Sequence, residues 1–237
     1  MEKLFALDGK FNQFMSKAAD LLLLNLMWII CSLPIITIGA STTALFDVLL
    51  EMTEDEEAYV VRTYIRYFAK NQKESTKLWL LFLTVQTLFS ALFASGFQVG
   101  SSVIVAGSMI GEVFFLVYTF FAFPLLAWNG DRKLGSLLKK SAFLGVAALP
   151  WTGVLLLGSG ILFAVTLCYP LPAALLLLFI GVAGVSYMMS VIYRHVFQKY
   201  GVLREKDVQN EVTVEIIKGE EEIALYKERA EHVRKDG

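Results

Sequence analysis

The sequence is poor in the residue types that usually carry chemistry. Its 237 residues include two cysteines, Cys31 and Cys168, and two histidines, His195 and His232. Both cysteines lie in apolar runs and show no spacing pattern, so a disulfide framework and a cysteine-based metal site are not expected. Both histidines lie in the polar C-terminal segment. We therefore expect neither a metal nor another cofactor.

Sequence motifs of common enzyme classes are also missing. There is no G-x-x-x-x-G-K-[ST] run for phosphate and no H-E-x-x-H run for zinc. No candidate nucleophile has an evident partner. The chain carries 21 Lys and Arg against 22 Asp and Glu, and this balance gives no support for nucleic-acid binding. We expect a protein that is not an enzyme and does not bind nucleic acid.

Charge is missing from three long stretches, and this absence is the most informative one. Residues 21–50 carry no charge before Asp47, residues 78–130 carry only Glu112, and residues 141–193 carry none. A membrane span needs about 20 mostly apolar residues. With 56% hydrophobic residues overall, the chain is predicted to be an integral membrane protein. We expect the first run to be a membrane segment rather than a cleaved signal peptide.

Each stretch is long enough for a helical hairpin. The predicted fold is an all-α integral membrane protein with three consecutive transmembrane helical hairpins, about six membrane segments, and cytoplasmic amphipathic helices. The predicted parts are an interfacial helix (1–20), a Pro-interrupted hairpin (21–50), an amphipathic helix (51–77), a second hairpin (78–130), a basic loop (131–140), a third hairpin (141–193) and a charged tail (194–237). The chain is expected to turn near Val99–Ser102 in the second hairpin and near Tyr169–Pro172 in the third.

Two features of the first hairpin stay open at this stage. Pro34 divides it, and its second arm is short, so this arm is either tilted or re-entrant. Residues 1–20 place apolar residues three and four apart, with lysines on another face. This pattern is typical of a helix on the membrane surface, although a plain extension of the first span is the alternative.

The segment 51–77 is predicted to be an amphipathic helix that starts at a capping box, Thr53 with Glu56. One face is basic, and the opposite face is apolar. The basic residues are Arg62, Arg66, Lys70 and Lys73, and the residues opposite are Val61, Tyr64, Ile65 and Phe68. Such a helix either docks on another protein or rests among lipid headgroups.

The positions of the basic residues predict the orientation. Short loops rich in Lys and Arg stay in the cytoplasm. With six segments, all 21 Lys and Arg lie on one side, so both termini are expected in the cytoplasm of a bacterial inner membrane. A five-span alternative, with residues 21–50 as one tilted helix, would export Lys3, Lys10 and Lys17.

Glu112 is the one acid away from the predicted cytoplasmic side. An ionisable side chain within a span is expensive, which makes it a candidate functional group. If its helix begins near Val103, Glu112 lies well inside the membrane and is a candidate proton or cation site. If the helix begins near Gly107, Glu112 lies at the outer interface and needs no functional explanation.

The run NLMWIICSLPIITIGASTTALF carries a family resemblance. It resembles the YesL-like family of bacterial integral membrane proteins (domain of unknown function 624), whose signature is an N-L-x-W run followed by S-L-P-x-x-T-I-G-A. The matching residues are Asn25, Leu26, Trp28, Ser32, Leu33, Pro34, Thr37, Ile38, Gly39 and Ala40. The signature has two interpretations, a functional site and a structural turn, and the second is favoured because Thr37 and Gly39 suit a tight turn beside Pro34.

The resemblance implies association with carbohydrate-utilisation loci and an accessory role beside ATP-binding-cassette (ABC) sugar importers. The chain is not expected to be the importer's permease, since its nearest candidate for the permease's cytoplasmic loop, Leu149–Pro150 after Gly135, has the wrong spacing. We expect an accessory protein in the lipid bilayer that binds a sugar ABC permease or another membrane protein. The alternative is a small secondary transporter or channel that uses the Pro34 hairpin and Glu112.

Overall fold

The structure is a computed structural model that describes part of the chain. The described residues are 2–54, 59–129, 133–148, 150–154, 157–158, 160, 168, 181–202 and 204, with side chains from Met15 onward. The regular elements are α1 (Glu2–Ser32), a 3-10 turn (Ile35–Thr37), α2 (Ile38–Met52), α3 (Val60–Val99), α4 (Ser102–Asn129), α5 (Leu134–Ala147) and α6 (Val182–Lys199). Within these ranges there is no strand, so the described part is entirely helical.

Four segments are long and apolar enough to cross a membrane. They are Met15–Ser32 in α1, Ile35–Met52, Val60–Val99 and Ser102–Asn129. The helical composition and these apolar segments agree with the prediction of an all-α membrane protein.

α1 and α2 form a hairpin around Pro34. α1 ends at Ser32, and Pro34 has extended backbone angles, φ −77° and ψ 124°. The residue before a proline is disfavoured in helical geometry, which explains why the helix stops there. The chain resumes a helix at Ile38. Residues 2–20 continue without a break into the first apolar run, so they extend the same helix.

The predicted helix start at Thr53 is wrong. Thr53 is instead the C-cap residue of α2, and its hydroxyl Oγ1 donates a hydrogen bond to the carbonyl oxygen of Leu50 at 2.7 Å. The hydroxyl thus closes the preceding helix instead of capping the next one. Glu56, the other half of the predicted capping box, lies outside the described residues. The next helix, α3, begins at Val60.

α3 is one helix of 40 residues. At 1.5 Å per residue it is about 60 Å long, roughly twice the hydrocarbon thickness of a bilayer. The boundary predicted between residues 77 and 78 therefore lies inside a continuous helix. α3 ends where the sequence predicts a turn, because Gly100 adopts a left-handed conformation with φ 68°, which favours glycine. α4 then returns along α3.

α2 lies at the centre of the described structure. Of its segment Ile35–Met52, 72% is buried, compared with 6% of the most apolar window of α3 or of α4. One side of α2 packs with α1 and α3 through Leu24, Leu45 and Tyr64. The other side packs with α4 and α6, where the rings of Phe46 and Phe121 both contact Tyr193 edge to face, and α5 packs against α4.

α5 begins at Leu134, inside the segment 131–140 that was predicted to be a loop, and continues into the predicted third hairpin. α6 includes the end of that hairpin and continues to Lys199. The predicted turn at Tyr169–Pro172 and most of the charged tail lie outside the described residues. The described start of the tail contacts the helices: Trp128 Nε1 donates to the carbonyl oxygen of Val202 at 2.8 Å, and Arg204 lies buried against α2.

Candidate functional site

α2 and α3 are joined by a buried line of hydrogen bonds, which we name the polar ladder. Residues four apart on a helix share one face, and here every fourth residue of α2 meets every fourth residue of α3 in the opposite direction. Ser75 Oγ donates to Thr43 Oγ1 at 2.9 Å, Asn71 Nδ2 donates to Asp47 Oδ2 at 2.7 Å, and the Tyr67 hydroxyl donates to Glu51 Oε1. The ladder fixes the register of the two helices.

The two carboxylates of the ladder are buried. Asp47 is 6% exposed and Glu51 is 3% exposed. A buried carboxylate is costly unless hydrogen bonds and opposite charges compensate for lost water. Asn71 and Tyr67 supply the hydrogen bonds. The ladder is therefore a row of separate hydrogen-bonded pairs between α2 and α3.

At one end of the ladder, two arginines from the C-terminal part of the chain contact the end of α2. The guanidinium of Arg204 lies 3.9 Å from Glu51 Oε1 and forms a salt bridge with Glu54. It also lies over the ring of Trp128, 5.3 Å from the centroid. Arg194 donates to the carbonyl oxygen of Thr53. These contacts tie α6 and the start of the tail to the end of α2.

The other end of the ladder is a close contact between Gly39 and α3. A Cβ atom at Gly39 would lie 2.5 Å from Trp79 Cβ and 2.7 Å from the carbonyl oxygen of Ser75. Only glycine permits this approach. The indole Nε1 of Trp79 donates to the carbonyl oxygen of Ile35 at 2.7 Å. The turn between α1 and α2 is thus held at the level of Trp79.

The other signature residues surround this turn. Thr37 Oγ1 donates to the carbonyl oxygens of Cys31 and Pro34, at 2.7 and 2.8 Å. Such bonds satisfy carbonyl groups at the end of a helix. Trp28 Nε1 donates to Thr42 Oγ1 at 3.2 Å and thereby joins α1 to α2. These contacts are those of a structural turn.

Asn25 and Ser32 differ from the rest of the signature. Asn25 is fully buried, and its side-chain oxygen accepts a hydrogen bond from the backbone N–H of Ala183 at 3.2 Å. Ala183 lies in the first turn of α6, where backbone N–H groups have no partner within the helix. Asn25 therefore connects α1 to α6. Ser32 Oγ is buried and has no hydrogen-bond partner among the described residues.

The predicted basic face lies on the surface of α3. Arg62, Arg66, Lys70 and Lys73 are all exposed. Tyr64 is buried on the opposite side, as expected, but Val61 and Ile65 are 40% and 53% exposed. These two side chains are exposed because α2 covers only the narrower strip that contains Tyr64 and Tyr67. The exposed surface of α3 is consequently both basic and apolar.

Glu112 lies in the third turn of α4. α4 begins at Ser102, close to the earlier of the two starts considered from the sequence, Val103. Gln86 Nε2 of α3 donates to Glu112 Oε1. The acid is therefore paired with a neutral amide between two apolar helices. No group of three or more His, Cys, Asp or Glu side chains in the described ranges is arranged to hold a metal ion.

Sequence reasoning missed the polar ladder. The sequence predictions place Asp47 in the second arm of the first hairpin and Glu51 at the start of the amphipathic segment 51–77, and they pair neither residue with α3. A signal was present, since Gly39, Thr43, Asp47 and Glu51 repeat every four residues on α2. The residues Tyr67, Asn71, Ser75 and Trp79 repeat in the same way on α3. Two matching four-residue repeats predict facing helix surfaces.

The turn and the polar ladder lie within residues 21–91, the part of the chain that matches a protein-family model. Neither the curated proteins nor the solved structures give a match to this chain. Residues 21–91, which contain the whole ladder, match the family model described as "Protein of unknown function, DUF624", and this confirms the family resemblance predicted from the sequence.

Proposed function

We propose that the protein is a non-catalytic component of a bacterial cytoplasmic membrane that binds another membrane protein through the basic face of α3. The basic face consists of Arg62, Arg66, Lys70 and Lys73. The observation that carries this proposal is their shared exposure on a helix whose other side is fixed to α2 by the polar ladder. A face that is held rigid loses little conformational freedom on binding, which favours affinity.

The proposed topology has three helical hairpins with both termini in the cytoplasm and a first hairpin whose second arm is short or re-entrant. Residues 78–99 of α3 carry no charge and measure about 33 Å, close to the thickness of the hydrocarbon core. The basic face begins on the N-terminal side of this span. Placing it in the cytoplasm satisfies the preference of Lys and Arg for that side.

The proposed partner is the membrane subunit of a carbohydrate ABC importer. The family resemblance supports this class of partner, since it implies association with such uptake systems. Complementary charge steers association and selects partners more than it adds affinity. We therefore expect the partner to present acidic side chains near the cytoplasmic membrane surface.

A charge-reversal variant tests the proposal. Arg62→Glu, Arg66→Glu and Lys70→Glu would be combined in one protein and compared with the charge-preserving pair Arg62→Lys and Arg66→Lys. The native host's sugar permease would be tagged, and the amount of each variant that co-purifies with it would be measured after membrane fractionation. We expect loss of co-purification for the reversed variant and retention for the control. Equal co-purification of both variants with the permease, at equal amounts in the membrane fraction, would refute docking through this face.

A second function, a small transporter or channel, is supported by one observation. Glu112 lies well inside α4 and is paired with Gln86, and acids within spans often belong to ion or proton pathways. For this function we expect Glu112→Gln to abolish pH-dependent flux in proteoliposomes, with Gln86→Glu as a companion variant. Unchanged flux in Glu112→Gln would remove Glu112 from any transport mechanism.

A further inference from the structure

The first hairpin packs beside the charged half of α3 and not beside its uncharged half. The polar ladder pairs Thr43 with Ser75 at one end and Glu51 with Tyr67 at the other. The tip of the hairpin meets α3 at Trp79, where Ile35 accepts the indole hydrogen bond. The body of α2 therefore runs along residues 67–79 of α3. The uncharged residues 80–99 extend past the tip, and α4 packs against them.

Two layers follow one another along α3: the layer beside the first hairpin, from Tyr67 to Trp79, and the layer beside α4, from Leu80 to Val99. At 1.5 Å per residue the first layer is about 18 Å long and the second is about 30 Å long. The hydrocarbon core of a bilayer is about 30 Å thick. One bilayer cannot contain both layers at full depth, so the membrane must lie mainly at one of them.

Charge identifies which layer lies in the hydrocarbon. At the level of the first hairpin, α3 exposes Lys70, Lys73 and Lys77, and a basic residue at the centre of a span costs about 2.5 to 3.5 kcal/mol on insertion. The outer half of α3 exposes apolar side chains such as Phe97 and Val99, each 76% exposed. The outer halves of α3 and α4 are therefore the spanning layer.

The tip of the first hairpin lies at the boundary between these layers, and it is apolar and exposed. Leu33 is 77% exposed, Ile35 is 67% exposed and Ile36 is 59% exposed. Trp79, at the same level, is a residue type that concentrates at membrane interfaces. The indole and the Thr37 hydroxyl supply hydrogen bonds to carbonyl groups of the turn. Because these carbonyl groups have hydrogen-bond donors within the protein, the backbone of the tip is suited to a depth where water is scarce.

We propose that the α1–α2 hairpin does not cross the membrane and instead inserts its tip, residues 33–36, among the acyl chains of one leaflet. The leaflet is the cytoplasmic one, an assignment that rests on the orientation given under the proposed function. In this arrangement the polar ladder lies on the cytoplasmic side of the hydrocarbon. Lys73 and Lys77, both exposed, lie near Trp79 where lipid headgroups are expected. The chain then has re-entrant contact with lipid at its first hairpin.

Cysteine labelling tests the proposal on the full-length protein. In a background with Cys31→Ser and Cys168→Ser, single cysteines would be introduced as Ile36→Cys at the tip, Ser101→Cys in the α3–α4 turn and Lys73→Cys on the basic face. Leu33→Cys serves as a second tip position if Ile36→Cys reduces expression. A membrane-impermeant maleimide would be added to spheroplasts and to inside-out vesicles. Each variant would also carry a thiol-linked fluorophore in liposomes that contain lipids brominated on their acyl chains.

Shallow insertion predicts a specific combination of results. Ser101→Cys reacts in spheroplasts and Lys73→Cys reacts only in inside-out vesicles. The tip variant does not react in spheroplasts, and brominated lipid causes loss of its fluorescence but not of the fluorescence at Lys73→Cys. Reaction of the tip in spheroplasts would overturn the proposal, because the hairpin would then cross the membrane. Reaction of the tip in inside-out vesicles without loss of fluorescence would also overturn it.

The same experiment separates this inference from the proposed function. If Ser101→Cys and Lys73→Cys were labelled from the reversed sides, the assignment to the cytoplasmic leaflet would be wrong, while loss of tip fluorescence would still establish insertion into one leaflet. Loss of permease binding by the charge-reversed variant is measured independently and does not depend on the depth of the tip.

Discussion

α2 and the outer half of α3 are both apolar enough on average to cross a membrane, yet they occupy opposite environments. The segment Ile35–Met52 is 72% buried, whereas the most apolar window of Val60–Val99 is 6% buried. α2 carries Thr43, Asp47 and Glu51 on the face that meets α3. The comparison teaches that the position of a few polar residues, and not the overall hydropathy, distinguishes a helix buried in protein from one that faces lipid.

The physical basis of this difference is the partner of each polar group. A hydrogen bond within the protein replaces water at Asp47, where Asn71 donates at 2.7 Å. Acyl chains offer no hydrogen-bond partner to a polar side chain. The outer half of α4 accordingly exposes apolar residues such as Phe114 and Val103. The following predictions test this contrast, in order of decreasing expected effect.

The largest effect is expected from Glu51→Ala. The change removes the acceptor of the Tyr67 hydroxyl and leaves Arg204 buried without this carboxylate. Removing one member of a buried ionic group typically costs about 3 to 5 kcal/mol. Chemical denaturation in detergent micelles would measure the free energy of unfolding. Glu51→Gln keeps a side-chain oxygen for Tyr67 and should lose less, so an equal loss in both variants would contradict a role for the ladder.

The next effect concerns the lipid-facing surface. Phe114 is 69% exposed on α4, and Phe114→Asp should reduce membrane insertion by about 2.5 to 3.5 kcal/mol, as an aspartate does at the centre of a span. Phe114→Leu should insert normally because it preserves an apolar side chain. The inserted fraction can be measured by carbonate extraction of membranes. Equal insertion of the two variants would show that this surface does not face lipid.

A smaller effect is expected from Gly39→Ala. The new Cβ would lie 2.5 Å from Trp79 Cβ, and overpacking of this kind costs about 1 to 3 kcal/mol. Gly107→Ala is the matched control, because nothing lies within 4 Å of a Cβ there, and alanine favours the helix. Thermal unfolding in detergent should show a lower midpoint for Gly39→Ala alone. A lowered midpoint for both would point to a general effect of the substitution.

The smallest effect is the coupling between Thr43 and Ser75. A double-mutant cycle of Thr43→Ala and Ser75→Ala should give an interaction energy of about 0.6 kcal/mol, the usual size for hydrogen bonds between membrane helices. Thr84→Ala is the control partner, since Thr84 Oγ1 donates to Leu80 within its own helix. The Thr43 and Thr84 changes should be additive. A coupling of zero between Thr43 and Ser75 would remove this pair from the ladder.

The sequence predicts those features that local chemistry decides. Pro34 stops α1, and Gly100 ends α3 where the turn was expected. The long charge-free stretches identify membrane helices because transfer to lipid depends mainly on composition. The family resemblance is carried by the residues around Pro34, and their contacts explain the signature as a turn held by Trp28, Thr37 and Gly39.

Features that depend on contacts between distant parts of the chain could not be predicted in this way. The hydroxyl of Thr53 closes α2 rather than opening the next helix. The continuity of α3 through residue 77 could not be predicted either. The sequence changes there from charged to apolar, and the same change would occur at a break between two helices. Arg204 reaches Glu51 from more than a hundred residues away. No local pattern near either residue indicates this pairing.

Because α3 is one unbroken helix, its two ends move together when it tilts. If its outer half tilts with the membrane by about 10°, the end at Val60 moves sideways by about 5 Å, because the helix extends some 27 Å beyond Leu78. α2 is bonded along this arm and moves with it. A tilt of the outer half would therefore displace the charged end of α3 without a change in the helix itself.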